Sequence, residues 1–365
     1  MRAMSVIPGH PKSATVATLD EPSAADGSVL VEALIVGLCG TDAEIIAEGV
    51  GSPLPGEAAL VIGHETVARV LEAPISSGFA AGDLVTGIVR LPDPVPCAAC
   101  ARGEWDFCRN GRYTEHGIRG SAGFGRERWR SEPAYLVRVP DSLGELGVFI
   151  EPMSVICKGL EAAGHIAGRA YSAPRRLLVT GAGPIGLLAA AAGTIAGFDV
   201  TVLDRMATGT KPDLARAIGA TYTSDLDTLG GTATADIFVA AQTTIEPFDV
   251  VLECSGATAV TARAAGMLAQ AGVMVLIGIS GHGAPVDLGL VGNALIRSNG
   301  AIVGTVNAGR RHYPQAVEVL EQIDSDWLRR LITRRVPLDT WPSAIERTDD
   351  DVKIVVTFPA DTITA

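Results

Sequence analysis

The sequence predicts an α/β protein of two domains, in which a mostly β domain is followed by a doubly wound parallel sheet. The first part of the chain has apolar runs at 29–36, 61–71 and 84–89, separated by Gly- and Pro-rich stretches, which is typical of partly antiparallel strands. From about Tyr171 onward, apolar strands alternate with helical segments, which is typical of one parallel sheet. A glycine-rich turn at 181–186, between a strand and a helix, supports this second assignment.

Length and composition limit the possible classes of protein. The 365 residues fit two domains, and 47% hydrophobic with 19% charged residues indicate a globular chain rather than a disordered one. No apolar run reaches the roughly 18 residues that cross a bilayer, and the N-terminal segment lacks a secretory signal. We therefore expect a cytoplasmic protein with no membrane partner. The net charge of −12 argues against a nucleic-acid partner.

Two polar clusters lie at ends of apolar runs in the first domain. Cys39 and Thr41 belong to Gly-Leu-Cys-Gly-Thr-Asp, and His64 and Glu65 belong to Gly-His-Glu. Thiolate, imidazole and carboxylate are the groups that hold a catalytic zinc, which takes three protein ligands and keeps one position open. Taken singly, such a cysteine or histidine is more often an ordinary core residue. Spacing alone leaves the zinc site and the plain core as alternatives.

The rest of the first domain contains one surface segment and one helix start. The Gly- and Arg-rich segment 110–131 is predicted to run over the surface, because it is too polar for a core. Glu151 and Pro152 precede a helical pattern at 153–167, and proline suits a first helical turn. A carboxylate at this helix start can bind a metal directly or through water.

The second domain begins with a predicted phosphate-binding turn. The apolar run 177–179 predicts a buried strand, and it is followed by Gly181, Gly183 and Gly186 and then by an Ala-rich helix. The first glycine permits a tight turn, the second lets the backbone approach a pyrophosphate, and the third lets the helix lie close to the sheet. The pattern predicts a dinucleotide cofactor, with a merely structural turn as the alternative. Later strands are predicted at 249–253, 273–279 and 301–306.

Asp204, 18 positions after Gly186, bears on the choice of dinucleotide. A carboxylate at the end of the second strand accepts hydrogen bonds from the adenosine ribose and repels a 2′-phosphate. The adjacent Arg205 could instead neutralise that phosphate. We expect NAD as the cofactor, with NADP as the alternative.

These motifs, in this order, resemble the zinc-dependent medium-chain dehydrogenase superfamily over nearly the whole chain. The segments Asn-Gly-Arg-Tyr-Thr-Glu-His-Gly-Ile-Arg-Gly (110–120), 134–140, 149–155 and 303–309 are similar to those of its glucose (aldose) 1-dehydrogenase branch. The resemblance implies a GroES-like, mostly β catalytic domain and a Rossmann domain. It places the N-terminal catalytic part at 1–172, the Rossmann domain at 173–307 and the C-terminal catalytic part at 308–365.

The resemblance also implies roles for individual residues. The catalytic zinc would be held by residues from the set Cys39, His64, Glu65 and Glu151, and these four with Thr41 would form the catalytic group. Substrate contacts would come from Thr41, Glu115, Glu151, Ser154 and Asn307, although Glu115 could also be a plain solvated charge. Cofactor contacts would come from Gly181, Gly183, Pro184, Ile185, Gly186, Asp204, Arg205, Ile277, Gly278, Ile279, Thr305, Val306, Asn307 and Lys353.

The superfamily's structural zinc lobe is represented here in incomplete form. Cys97, Cys100 and Cys108 match three of its four cysteine positions, but the first position falls on Pro94, which cannot bind zinc. Either Asp93 or water completes an unusual site, or the lobe holds no metal.

The resemblance implies that the enzyme oxidises an aldose such as D-glucose at its anomeric carbon, with zinc and NAD(P), and forms an aldonolactone. One alternative is another zinc dehydrogenase acting on alcohols, polyols or threonine, because these enzymes share the same parts. The other is a metal-free NAD(P)H-binding relative without catalytic activity. The superfamily usually associates through its Rossmann sheets, so a homodimer or homotetramer is expected.

Overall fold

The computed structural model of the protein describes residues 1–171, 173–229, 246–279 and 285–359. The chain divides into two compact units, of which one contains Met1–Ser154 and Asn307–Ala365 and the other Val155–Val306. The boundary between Ser154 and Val155 falls inside a helix, so it is not a domain limit in the usual sense. The domain limits at 172/173 and 307/308 therefore stay predictions. Ser172 and residues 360–365, which those limits include, lie outside the described residues.

The strands and helices follow the chain in this order. The strands are β1 (Arg2–Ile7), β2 (His10–Thr18), β3 (Val29–Leu38), β4 (Leu60–Val61), β5 (Glu65–Glu72), β6 (Leu84–Gly87), β7 (Arg90–Leu91), β8 (Thr114–His116), β9 (Gly120–Ser121), β10 (Arg128–Ser131), β11 (Leu136–Arg138), β12 (Arg176–Thr180), β13 (Asp199–Leu203), β14 (Thr221–Thr223), β15 (Phe248–Glu253), β16 (Leu268–Leu276), β17 (Ala301–Gly304), β18 (Ile332–Pro337) and β19 (Lys353–Thr357). The α-helices are α1 (Gly40–Glu48), α2 (Ile150–Ala167), α3 (Pro184–Ile195), α4 (Thr210–Ala217), α5 (Thr258–Ala265), α6 (Leu288–Ser298), α7 (His312–Leu320) and α8 (Ser325–Leu331).

The first unit is built on a seven-stranded sheet in the order β11-β6-β5-β3-β19-β18, with β10 also paired to β3. Two three-stranded sheets, β2-β1-β4 and β7-β8-β9, complete it. Most of the pairs are antiparallel, whereas β18 with β19 and β8 with β9 are parallel. The central strand β3 is apolar along almost its whole length because neighbouring strands and core clusters cover it. The predicted mostly β domain is therefore confirmed.

The prediction of a surface course for segment 110–131 is wrong for its second half. Phe124 and Trp129 are completely buried in a cluster with Val29 and Val31 of β3. Strand β10, with the sequence Arg-Trp-Arg-Ser, pairs with β3 and alternates its side chains, so Trp129 points inward while its arginine neighbours stay partly exposed. The high arginine content hid this alternation of period two.

The second unit contains the predicted parallel sheet. Its six strands lie in the order β14-β13-β12-β15-β16-β17, and every neighbouring pair is parallel. The strand order turns back at β12, which is the arrangement of a doubly wound dinucleotide-binding sheet. Within the described ranges, no helix is both long and apolar enough to span a membrane.

Candidate metal and dinucleotide sites

Three strands of the first unit bring the polar clusters together. In the pairing of β3 with β5, Gly37 lies opposite Glu65, and in the pairing of β3 with β19, Leu38 lies opposite Ile354. Cys39 follows β3 directly and His64 precedes β5 directly. The register of these antiparallel strands therefore places residues that are far apart in the sequence at one end of the sheet.

Cys39, His64 and Glu65 form the resulting group. Their ligand atoms all lie within 4.8 Å of one another. His64 and Glu65 are buried. His64 Nδ1 lies 3.5 Å from Asp42 Oδ1, whereas Glu65 Oε1 has no hydrogen-bond partner among the described residues. Leaving a buried carboxylate oxygen unpaired is costly, so a group that binds there would offset the cost. The donor set of one thiol, one imidazole and one carboxylate fits zinc.

Asp42 holds the backbone beside two members of this group in place. Its carboxylate accepts hydrogen bonds from the backbone N–H groups of Cys39 at 2.8 Å and Gly63 at 3.3 Å. Burial alone would lower the pKa of His64, but Asp42 and Cys39 outweigh that effect and raise this pKa well above its usual value. Asp42 is a supporting residue that the sequence motifs did not predict. Its position in the first turn of α1, with Cys39 as the N-cap, was the available signal.

Lys353 forms a buried ion pair with Glu65. Its ammonium lies 2.5 Å from Glu65 Oε2 and also donates to the carbonyl of Leu38 at 3.3 Å. Both side chains of the pair are almost completely buried. The cofactor contact remains a prediction, but the lysine's position in this unit is that of a counter-charge for Glu65.

The other predicted catalytic residues lie around the same end of the sheet. Thr41 Oγ1 is 4.0 Å from Cys39 Sγ. Glu151 lies in the first turn of α2, and its burial raises its pKa to about 7, while the charge of His64 opposes this increase and that of Glu65 adds to it. It is not one of the group within 4.8 Å in the described structure. Ser154 is buried and its hydroxyl donates to the carbonyl of Glu151 at 2.6 Å, so this bond already uses its proton.

Glu115 is not a solvated charge, which decides one alternative left open by the sequence. It lies on β8 and is buried, and its Oε1 accepts hydrogen bonds from Arg90 Nε at 3.0 Å and Nη2 at 2.9 Å. The side-chain amide of Asn307 donates to the same oxygen at 3.0 Å. Arg90 was missed by sequence analysis, because only its pairing opposite Glu115 in β7 and β8 reveals it.

The cysteine lobe brings its three thiols together. The sulfur atoms of Cys97, Cys100 and Cys108 lie within 4.8 Å of one another. Backbone N–H groups of Cys100 and Arg109 lower the pKa of the Cys97 thiol to about 6.

Asp93, the suggested fourth ligand, does not join this group in the described structure. Its carboxylate accepts hydrogen bonds from the Val95 backbone, from Asn110 Nδ2 at 2.9 Å and from Arg112 Nε at 3.1 Å. The thiols suit zinc, with a fourth position left for water.

In the second unit, the three glycines of the turn meet different requirements. Gly181 has φ +87°, which favours glycine. A Cβ on Gly186 would lie 1.8 Å from the carbonyl oxygen of Gly181, so only glycine lets α3 start this close to the turn. Around Gly183, by contrast, a Cβ would meet no described atom within 4 Å. That open space lies at the N-cap of α3, where free N–H groups attract anions, and Pro184 and Ile185 follow as the first helical residues.

Asp204 contacts the turn itself. One carboxylate oxygen accepts a hydrogen bond from the Ala182 N–H at 2.7 Å and the other accepts one from the Met206 N–H at 3.1 Å. The neighbouring Arg205 is exposed. Asp204 thus ties the end of β13 to the glycine turn.

The remaining predicted cofactor residues follow β16 and β17. The N–H groups of Ile277 and Gly278 both donate to the carbonyl of Glu253 at 2.9 Å. A Cβ on Gly278 would lie 2.5 Å from Gly256 N, which explains the glycine. Ile279 and Val306 are exposed apolar side chains, and Thr305 Oγ1 is buried without a hydrogen-bond partner among the described residues.

Glu253, at the end of β15, was not predicted. Its buried carboxylate accepts hydrogen bonds from Thr180 Oγ1 at 3.1 Å and from the N–H groups of Ser255 at 2.9 Å and Gly256 at 3.0 Å. It joins the ends of two neighbouring strands, so the loops that follow them keep their relative positions.

Comparison with known proteins shows similarity along the whole chain. Residues 144–358 match the family model described as Glucose dehydrogenase C-terminus, and residues 25–141 match Alcohol dehydrogenase GroES-like domain. The chain is 34% identical to a glucose 1-dehydrogenase of Methanocella arvoryzae, covering 99% of this chain and 100% of the relative. It is 36% identical to glucose 1-dehydrogenase 1 of Caldivirga maquilingensis, covering 98% of each.

A solved structure shows the same similarity. Haloferax mediterranei glucose dehydrogenase, in complex with NADP, Zn and gluconolactone, has a TM-score of 0.88 and 31% identity, covering 99% of this chain and 100% of that one. The sequence matches extend over both units, and the fold of that structure agrees with the one described above. The chain therefore belongs to the glucose 1-dehydrogenase branch of the zinc-dependent medium-chain dehydrogenase superfamily.

Proposed function

We propose that the protein is a zinc-dependent oxidoreductase that transfers a hydride from the anomeric carbon of an aldose such as D-glucose to NAD(P). The observation that carries this proposal is the Cys39, His64 and Glu65 group, whose Glu65 Oε1 is buried with no hydrogen-bond partner in the described part of the chain, in a protein that also has the dinucleotide turn. Relatives named glucose 1-dehydrogenase, similar over the full length, support the choice of an aldose.

Cys39 and His64, with Glu65 or Glu151, would hold the metal. A zinc ion bound by them supplies Lewis acidity, which lowers the pKa of a coordinated hydroxyl group. Asp42 keeps the Cys39 backbone in place, and Lys353 balances the charge of Glu65. The site therefore has its supporting contacts already formed, which is what positioning of a reacting group requires.

The chain's own residues would orient the sugar and take part in proton transfer. Oxidation at the anomeric carbon removes the hydroxyl proton and a hydride from the same carbon, and gives an aldonolactone, NAD(P)H and a proton. Thr41, close to Cys39, would orient the reacting hydroxyl and pass its proton on. Glu115 would accept a hydrogen bond from a second hydroxyl, which holds the ring in one orientation.

The dinucleotide would bind through the glycine turn of the second unit. Its pyrophosphate would lie at Gly183 and the N-terminus of α3, and its adenosine ribose would lie near Asp204. The cofactor supplies the hydride acceptor. We propose a preference for NAD because Asp204 is a carboxylate, although the Haloferax relative was solved with NADP.

One experiment tests the activity against its rivals. The purified protein is assayed with aldoses, polyols, simple alcohols and threonine, each with NAD and with NADP, before and after chelation. We expect turnover of aldoses, loss of turnover after chelation and recovery with zinc. Turnover of non-sugar alcohols alone would favour a related dehydrogenase, and chelator-insensitive turnover would contradict the zinc mechanism.

We also propose a cytoplasmic location and a homodimeric or homotetrameric assembly. The six cysteines are free thiols, which suits a reducing compartment. The assembly is proposed from the superfamily resemblance, and light scattering coupled to size-exclusion chromatography tests it. A monomer at enzyme-assay concentrations would contradict it.

A further inference from the structure

We propose that Arg90 and Asn307 are positioning residues that fix Glu115, so that a single carboxylate oxygen of Glu115, Oε2, recognises one sugar hydroxyl. This inference rests on the proposed function and adds the group that sets hydroxyl specificity. Asn307 Nδ2 carries a second N–H besides the one donated to Glu115, so the predicted direct contact of Asn307 with the sugar stays a prediction.

All the donors on Glu115 converge on one of its oxygens. Arg90 supplies Nε and Nη2, Asn307 supplies Nδ2, and each nitrogen lies 2.9 to 3.0 Å from Oε1. A carboxylate oxygen has two lone pairs, so these three donors saturate Oε1. The Glu115 side chain remains slightly exposed, at 11% of its surface. The other oxygen, Oε2, is thus the acceptor left for a substrate.

Arg90 is itself held on its remaining sides. Its Nη1 donates to the backbone carbonyl of Asp106 at 2.9 Å, and the guanidinium lies over the ring of Tyr113, 3.9 Å from the centroid. Its backbone pairs opposite Glu115. A planar guanidinium stacked on a ring and bonded at both edges has little freedom, so it determines the plane of the carboxylate it binds.

The side chain of Asn307 is also held in one orientation. Its Oδ1 accepts a hydrogen bond from the Ala308 N–H at 2.6 Å, which directs Nδ2 toward Glu115. Its backbone has φ +57°, a left-handed conformation that asparagine tolerates better than most residues. Both polar ends of the side chain therefore have partners within this unit.

The ion pair of Arg90 and Glu115 determines which kind of substrate group suits Oε2. A neutral hydroxyl donor is suited to Oε2, because the ion pair with Arg90 leaves no need for a second cation and a carboxylate oxygen accepts a strong hydrogen bond from a hydroxyl. If Glu115 loses its orientation, sugars that bear the recognised hydroxyl should lose binding, whereas a sugar without that hydroxyl should lose little.

The test compares D-glucose with its 2-, 3-, 4- and 6-deoxy derivatives in wild type, Glu115→Gln and Arg90→Lys. A lysine ammonium cannot reproduce the paired Nε and Nη2 donors. We expect kcat/KM for glucose to fall about 10- to 100-fold in Arg90→Lys, mainly through KM, which corresponds to loss of one hydrogen bond to a charged group. One deoxy sugar, the same one that is insensitive to Glu115→Gln, should lose much less.

Two further variants keep the test decisive. Asn307→Gly preserves the left-handed backbone and removes the side chain with its amide, so it should show the same sugar pattern with a smaller loss even if Arg90→Lys folds poorly. Arg335→Lys is the matched control, because its ion pair with Glu145 is exposed and lies apart from this network, and it should leave all rates unchanged.

Equal losses on every sugar in the folded variants, or no loss, would show that Arg90 and Asn307 have only structural roles. Wild-type protein that turns over no aldose would instead reject the proposed function, and this role with it.

Discussion

The ion pair of Lys353 and Glu65 shows how a single residue supports the candidate metal group. The two charged groups are 2.5 Å apart and almost completely buried. One oxygen of Glu65 is thereby occupied, while the other has no hydrogen-bond partner among the residues that the structure describes. Such a pair contributes little net stability relative to apolar residues, but removal of one partner leaves an uncompensated charge. Lys353 thus supplies the counter-charge that holds Glu65 in place.

This interpretation predicts a large loss of stability for Lys353→Met. The free energy of unfolding in urea should fall by about 3–5 kcal/mol, because the buried carboxylate loses its counter-charge. The double variant Glu65→Gln, Lys353→Met should regain part of the loss. Arg335→Met is the control, since its exposed ion pair is worth at most about 1 kcal/mol. A loss as small as that of the control would mean that Lys353 does not compensate Glu65.

At the scale of elements, two glycines in the turn between β12 and α3 are there for different reasons. Gly186 is required by the fold, since a Cβ there would overlap the carbonyl of Gly181. Gly183 is not required by the described fold, since a Cβ there would meet open space. Because the fold does not explain the glycine at this helix N-terminus, close approach of a phosphate-containing ligand can explain it.

The two glycines should therefore respond differently to substitution by alanine. We expect Gly186→Ala to lower the free energy of unfolding by about 1–3 kcal/mol, because the backbone must shift to admit the methyl group. Gly183→Ala should stay within about 1 kcal/mol of wild type, as alanine is only a weaker N-cap, yet bind NADH more weakly. Urea unfolding and NADH fluorescence titration measure both effects. Undiminished NADH affinity in Gly183→Ala would argue against a pyrophosphate at this position.

At the scale of the whole molecule, two separate groups of side chains among the described residues could hold a metal ion, one at Cys39 and one at Cys97. Both are in the first unit, and only the first includes an imidazole and a carboxylate. We expect about two zinc ions per chain by mass spectrometry of the purified protein, because both donor sets suit zinc.

Substitution should separate the two ions by their effects. Cys39→Ser is expected to lose about one zinc and its turnover, whereas Cys108→Ser is expected to lose about one zinc and thermal stability while turnover is retained. An unchanged zinc content in Cys108→Ser would show that the cysteine lobe holds no metal, which is the alternative that the missing fourth cysteine leaves open.

Much of the architecture followed from local patterns. The glycine turn, the alternating strands and helices after Tyr171 and the strand β3 were all predicted, because apolar periodicity and glycine positions are local properties of the chain. The predicted strand at 61–71 is interrupted at Gly63, whose φ of +92° breaks the extended backbone. Segment 110–131 was misjudged because arginine content outweighed the alternation around Trp129.

The sequence alone was sufficient to indicate which residues could bind metal and dinucleotide, since short motifs contain both the type and the spacing of the ligands. Tertiary structure decided the partners of those residues. Lys353 meets Glu65 across 288 positions, and Asn307 meets Glu115 across 192. Such contacts depend on strand register and burial, which join distant segments and leave no local signal. For the same reason, Arg90 became recognisable as a candidate specificity residue only after β7 and β8 were paired.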